Sequence, residues 1–246
     1  MKKILISLVI LLAGATVASA QTPGVSLDIL WEADTYTPPF YGGHSQITPG
    51  SMVKVVALPV VSTGASINQV KVSDFQFDWV KDNLKIGSYS GRGKNLLVYR
   101  ADTSGANIIK VTISTPAGIA VATNQIILPV SQPKLVFYKE DPLAGTTYNQ
   151  SLSGTFNLTS PEVTLRVEPY FFSAASVLRK SLNYNWQINN QKIISNPDNQ
   201  QLVTFAAPEA GSGNNTVAIK VDNPDAIFQT AKNSLAITFD KSNVGF

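Results

Sequence analysis

Large apolar residues alternate with polar ones along Phe75-Gln76-Phe77-Asp78-Trp79. Val80-Lys81-Asp82-Asn83 then interrupts the pattern before Leu84-Lys85-Ile86 resumes it. A period of two marks a strand with one buried face, and Asp and Asn tolerate left-handed backbone, so the stretch predicts strand, tight turn, strand. Leu182-Asn183-Tyr184-Asn185-Trp186 through Ile193 repeats it at an offset of 107 residues. Other blocks recur in the same order. Val25–Trp31 matches Lys134–Tyr138 at offset 107, Met52–Pro59 matches Glu162–Pro169 at 110, and Ile109/Val111/Ile113 match Val217/Ile219/Val221 at 108. Asn124–Val130 matches Asn233–Phe239 at 109. Pro59 and Pro169 are expected to stop their strands, because proline removes a ladder donor. Five blocks in one order predict a tandem duplication of about 108 residues, joined at Ser131-Gln132-Pro133, a short proline-containing joint that restricts bending.

No stretch sustains a helical period, charged residues make up only 14% of the chain, and the turn residues recur every 8–12 positions, roughly. This is the pattern of an all-β protein. Each unit carries about seven short strands around a Trp on a central strand, which predicts two tandem immunoglobulin-like β-sandwiches over residues 24–130 and 134–240. Phe75, Phe77 and Trp79 in one, and Leu182, Tyr184 and Trp186 in the other, are the expected core faces.

The first twenty residues are excluded from that fold. Lys2-Lys3, the apolar run Ile4–Val17 and the small residues Ala18-Ser19-Ala20 spell a cleaved secretory signal peptide over 1–20, too short to span a bilayer. Its removal lowers 19 basic residues to 17 against 16 acidic ones, a net charge of +1, so nucleic acid is not an expected partner. With no cysteine, neither a lipid-modified thiol nor a disulfide is available, and packing alone must hold the fold. No second apolar run of membrane length follows, and Asp240–Phe246 is a polar tail. The expected location is outside the cytoplasm: extracellular, on the cell surface or periplasmic.

The Trp strand with the turn Trp186-Gln187-Ile188-Asn189-Asn190 resembles the strand and hairpin of bacterial Ig-like and polycystic-kidney-disease-type modules, with Asn83 and Asn190 where those carry a turn glycine. Trp31-Glu32-Ala33 with Tyr36–Tyr41, and Glu168-Pro169-Tyr170-Phe171-Phe172-Ser173, are similar to uncharacterised exported proteins of ultra-small candidate-phylum bacteria. The resemblance implies a sandwich fold and brings no catalytic motif with it.

Candidate chemistry is sparse. His44 is the only histidine, and one imidazole without cysteine builds neither a zinc site nor a supported catalytic triad. Gly91-Arg92-Gly93-Lys94-Asn95 lacks the spacing and the following helix of a phosphate loop and reads as a connection between strands. Asp222-Asn223-Pro224-Asp225 and Glu140-Asp141 are oxygen-rich, but neither is a calcium-loop ligand run, and both suit turns. No catalytic residue, metal or cofactor is therefore expected. Tyr36, Phe40 and Tyr41 around Pro38-Pro39, and Tyr170, Phe171 and Phe172 after Pro169, are more aromatic than connections need. They are expected to cap the ends of the sandwiches or to pack the two halves together; the other reading makes them contacts for a protein partner or a glycan. The expected function is a non-enzymatic structural or adhesive module acting through protein contacts at the cell envelope or in a secreted assembly; the alternative is a carbohydrate-binding module using Tyr36–Tyr41 and Tyr170–Phe172.

Overall fold

The computed structural model describes residues 24–63, 66–69, 71–194, 196–208 and 211–240. The signal peptide expected over 1–20 and the tail from 241 lie outside these residues. The first half runs β1 (Gly24–Ala33), β2 (Met52–Thr63), β3 (Ser66–Gln69), β4 (Gln76–Lys81), β5 (Leu84–Lys85), β6 (Gly91–Arg92), β7 (Leu96–Arg100), β8 (Ala106–Ser114) and β9 (Ala120–Pro129). The second runs β10 (Lys134–Asp141), β11 (Gly145–Leu152), β12 (Thr155–Leu158), β13 (Glu162–Tyr170), a one-turn helix α1 (Ala174–Leu178), β14 (Asn183–Ile188), β15 (Gln191–Lys192), β16 (Leu202–Ala206), β17 (Ser212–Asp222) and β18 (Thr230–Asp240).

Each half is a two-sheet sandwich of the immunoglobulin-like kind. In the first, β1-β2-β3 with β7 also on β2 faces β5-β4-β8-β9, with β6 also on β4. In the second, β11-β10-β13-β16 faces β12-β18-β17-β14-β15. One core draws its buried residues from Leu27 to Leu128 and the other from Leu135 to Phe239. Trp79 and Trp186 are fully buried at the centres. Each indole is tied down in the same way: Trp79 Nε1–H donates to Lys94 O at 2.9 Å and Trp186 Nε1–H to Gln200 O at 2.8 Å. The Gly91–Asn95 segment is thus the cover of the first indole, with no helix after it.

Other features recur with the tryptophans. Asp82 and Asn83 have φ of 49° and 66°, and Asn189 and Asn190 have 52° and 67°, so both hairpins turn on paired left-handed residues that Asn and Asp adopt at little strain. The first turn residue caps the next strand in each: Asp82 Oδ1 accepts from Ile108 N, and Asn189 Oδ1 from Thr216 N. Asn124 Nδ2 donates to Leu27 O, and Asn233 Nδ2 to Leu135 O, bridging the two sheets of each sandwich.

Two expectations need correction. Pro59 and Pro169 do not end their strands; they pair opposite Leu27 and Leu135. Pro59 is tolerated because β2 leaves β7 at Val56 and takes up β3 only at Val60, so no ladder is broken on that side. The first strands correspond at offset 108 rather than 107. Leu27 and Leu135 are the matching core residues, which makes Leu30, not Trp31, the counterpart of Tyr138. A slip of one residue exchanges the two faces of a strand, so this moves the aromatic match from one side of the sheet to the other.

Candidate functional site

The two segments in which the repeats differ most, Thr35–Gly43 and Tyr170–Ser173, meet at the joint. Leaving β1 at Ala33, the chain crosses to the second half as a strap before returning to its own sandwich, where Ile47 is buried in the first core and its carbonyl accepts from Ser131 N. Thr35 forms an antiparallel bridge with Ser173; Tyr36 N donates to Phe172 O and Phe171 N to Tyr36 O, both at 2.7 Å. Thr48 Oγ1 donates to Phe171 O at 2.9 Å. Gln229, buried in the turn before β18, closes the arrangement: its Nε2 donates to Thr48 Oγ1 and Pro49 O, and its Oε1 accepts from Ser173 N and Asn223 Nδ2. All of that amide's reach is spent on holding the joint.

Beneath the strap lies the outer face of the β10–β13 sheet. Alternation sends Val163, Leu165 and Val167 into the core and Thr164, Arg166, Glu168 and Tyr170 outward. Glu168 should then be solvated, yet it is 2% exposed. Tyr36 Oη from the strap donates to its Oε2 at 3.1 Å, Tyr148 Oη donates to its Oε1 at 2.8 Å, and Arg166 Nη1 stands 3.7 Å away. Desolvation raises the Glu168 carboxyl above its ordinary value, against the lowering pull of the two phenols and Arg166. Burial and the Glu168 charge together push the Tyr36 hydroxyl well above the usual phenol range. Arg166 is committed elsewhere, with Nε and Nη2 on the Glu140 carboxylate at 3.0 and 3.4 Å and Nη1 on Gln201 Oε1 at 3.1 Å. Glu140 also faces a desolvation cost, but hydrogen bonds from Arg166 and Thr146 outweigh it and hold the carboxyl below the ordinary value. Gln201 passes the chain on to Tyr184 Oη at 3.2 Å; burial raises that hydroxyl to about 12.

Aromatic rings extend the joint. Tyr41 stands edge-on to Tyr170 and Phe171 at 5.5 and 5.8 Å, Tyr138 edge-on to Tyr148 at 5.2 Å, and the Tyr138 and Tyr170 hydroxyls share a 2.6 Å hydrogen bond. Tyr41 packs directly over Gly43, where a Cβ would sit 2.6 Å from the end of the ring. The six aromatic candidates therefore divide. Phe171 and Phe172 are 3% and 0% exposed and offer no surface; Tyr36, Tyr41 and Tyr170 are partly buried in the joint. Phe40 alone projects, 93% exposed, from a turn closed by Tyr41 N on Pro38 O, with a φ of 65° that a bulky residue seldom takes. A cleft of about 320 Å³ opens beside the strap between Tyr36, Tyr184, Leu178, Pro197 and Gln201.

The remaining sequence candidates take structural roles. Asp225 accepts from Ser176, Ser181 and Arg179, Asp222 pairs with Lys220 and Thr230, and Asn223 is buried against Gln229. Glu140 accepts from Arg166 in the network beneath the strap, and Asp141 ends β10 and accepts from Leu143 N and Ala144 N. Among the described residues no group of three or more His, Asp or Glu side chains is placed to hold a metal, and no helix is long and apolar enough to cross a membrane. Sequence reasoning missed Glu168, Arg166, Tyr148 and Gln229, and read Glu140 only as an oxygen-rich turn residue. The Arg166/Glu168 pair on the outward face was readable from the alternation; its burial by a strap from the other half was not.

No protein-family model and no curated protein matches the chain. Solved structures that align with it include the fibronectin(III)-like modules of Clostridium thermocellum CbhA, at 12% identity over 88% of this chain and 97% of that one with a TM-score of 0.26. The Ig1-2 module of Drosophila receptor protein tyrosine phosphatase DLAR aligns at 8% identity over 87% and 99%, TM-score 0.26. Sidekick-1 immunoglobulin domains 1-4 align at 11% over 85% and 74%, TM-score 0.26. Scores this low carry no function across, and the fold assignment rests on the chain's own sheets and cores.

Proposed function

We propose that the protein is an exported, non-enzymatic structural module of two Ig-like domains, 24–130 and 134–240, that acts through protein contacts at the cell envelope or in a secreted assembly. The observation that carries this is the use made of the divergent segments: they lock the two sandwiches into one stiff unit, which is the property a spacer or scaffold needs. The signal-like N-terminus and the resemblance to exported bacterial proteins support the location. Binding of the purified mature protein to isolated envelope fractions tests it. The expected result is binding abolished by protease treatment of the fraction and unaffected by periodate, which cleaves sugar rings.

Phe40 favours one alternative. An exposed phenyl held on a proline turn over Tyr148, 6.4 Å between ring centres, is a platform on which a sugar ring can stack. Binding that resists protease, disappears with periodate and is lost in Phe40→Ala would replace the protein-contact reading with a carbohydrate-binding one.

A further inference from the structure

The two sandwiches present matching outer faces of opposite character. In the second half the row Tyr138–Arg166–Leu202 crosses the sheet, with Val136–Glu168 beside it, and the strap covers its joint end. In the first half the register places Leu30–Val56–Leu96 in the same row and Asp28–Leu58 beside it, so Leu58 stands where Glu168 does. Nothing among the described residues covers this face: Leu30, Leu58 and Leu96 are 58%, 37% and 43% exposed. The face that is an interface in one half is thus uncovered in the other and carries three exposed leucines beside Asp28.

The opposite member of the joint also has a counterpart. The strap grows from the end of β1; the matching position at the end of β10 is the turn Pro142-Leu143-Ala144, at the far end of the second half. Asp141 Oδ1 accepts from Leu143 N and Ala144 N at 2.9 Å each, which holds the turn in shape, and Leu143 is 99% exposed at its tip. The chemistry changes in step on both sides. Inside the chain a tyrosine-bearing strap meets a glutamate; at the two free ends an aliphatic tip is left facing outward and a leucine-rich face is left bare.

We infer that copies of this chain join head to tail, the Pro142-Leu143-Ala144 end of one copy seating on the Leu30/Val56/Leu58/Leu96 face of the next and repeating between molecules the relation that the strap makes within one. Such an interface uses two different patches, so it does not close into a dimer but extends. The inference rests on the reading of the protein as a structural module and names the partner as the protein itself. Burying the leucines supplies the attraction, with the Glu32–Lys54 ion pair and the exposed Asp28 carboxylate of the edge strand β1 bordering the contact.

Sedimentation velocity of the mature protein from about 1 μM to 1 mM spans the weak range of such contacts. The expected result is a mass that keeps rising past the dimer. Leu143→Asp and Leu30→Asp, both at exposed positions and with unchanged urea midpoints, should each be monomeric alone. An equimolar mixture of the two should stop at dimers, because each variant keeps one intact patch. A wild type that stays monomeric or stops at a closed dimer overturns the inference, as does a mixture that remains monomeric. A monomeric protein that still binds envelope fractions protease-sensitively would remove self-assembly alone and leave the broader reading standing.

Discussion

The same slot in the repeat, between the first two long strands, is filled in opposite ways by the two halves. In the first, residues 34–51 bind the neighbouring sandwich through Thr35, Tyr36 and Thr48 while Ile47 stays in the first core. In the second, residues 142–161 turn back and serve their own. There β11 lengthens the β10 sheet, and β12 runs parallel to β18 so that Ala236 N finds Gly154 O and Leu158 enters the core. The first half, having sent much of its segment across the joint, puts no strand on the edge of β9 among the described residues; only Ile47 O meets Ser131 N just past its end. It blunts that edge instead: Pro129 occupies the position of Thr238, where a donor would otherwise point outward. The difference teaches that duplication preserved what builds a sandwich and freed the connection to build the joint.

The largest effects should test whether the cores are equivalent. Trp79→Ala and Trp186→Ala should each cost about 3–5 kcal/mol in urea unfolding, because each removes a fully buried indole and its hydrogen bond. Similar costs with both halves unfolding together would show the strap coupling them; loss of one transition only would show them independent. Next comes Gln229→Ala, which strands Thr48, Ser173 N and Asn223 at the joint. It should cost about 2–3 kcal/mol and split a single unfolding transition into two. Asn124→Ala and Asn233→Ala remove the same sheet-bridging bond in either half and should each cost about 1 kcal/mol. A marked inequality would mean that the β1–β9 and β10–β18 contacts are not equivalent.

The smallest effect is one of pH, and it separates the halves because only the second has the buried acid. Glu168 has a folded-state pKa above its unfolded value, so its contribution is complete below the unfolded value and is lost as pH rises through the folded one. Glu140 is lowered, and its contribution is present above the unfolded value and lost as pH falls through the folded one. Glu168→Gln should therefore compare least favourably with wild type near about pH 4 and improve relative to it toward pH 7, the Glu140 loss at lower pH remaining. Urea midpoints measured across that range check the sign, and a pH-independent difference would mean that Glu168 is not the titrating group.

The cores were legible because alternation is local: Phe77 and Trp79, or Val163, Leu165 and Val167, declare their face within a few residues. The offset of the first strand was misread because Trp31 and Tyr138 agree in kind while Leu27 and Leu135 agree in position, and only the ladder distinguishes them. The aromatic segments were legible as unusual, and their proline and ring content suggested either contact with a partner or packing between halves. Which of these holds depends on a crossing over 138 residues, from Thr35 to Ser173, that no short-range pattern encodes. Glu168 shows the same limit, since its place on the outward face predicts water around it until a tyrosine from the other half is laid on top.

The strap also has a mechanical consequence. Tension applied between Gly24 and Asp240 does not pass from half to half through Ser131–Pro133 alone, because the strap is a second load path in parallel with that linker. A hinge at the linker can open only when the Tyr36 backbone pair, the Thr48 bond and the Gln229 amide release together. The joint should therefore yield as one abrupt event rather than by gradual bending, and the separation between the two ends of the protein should stay fixed up to that force.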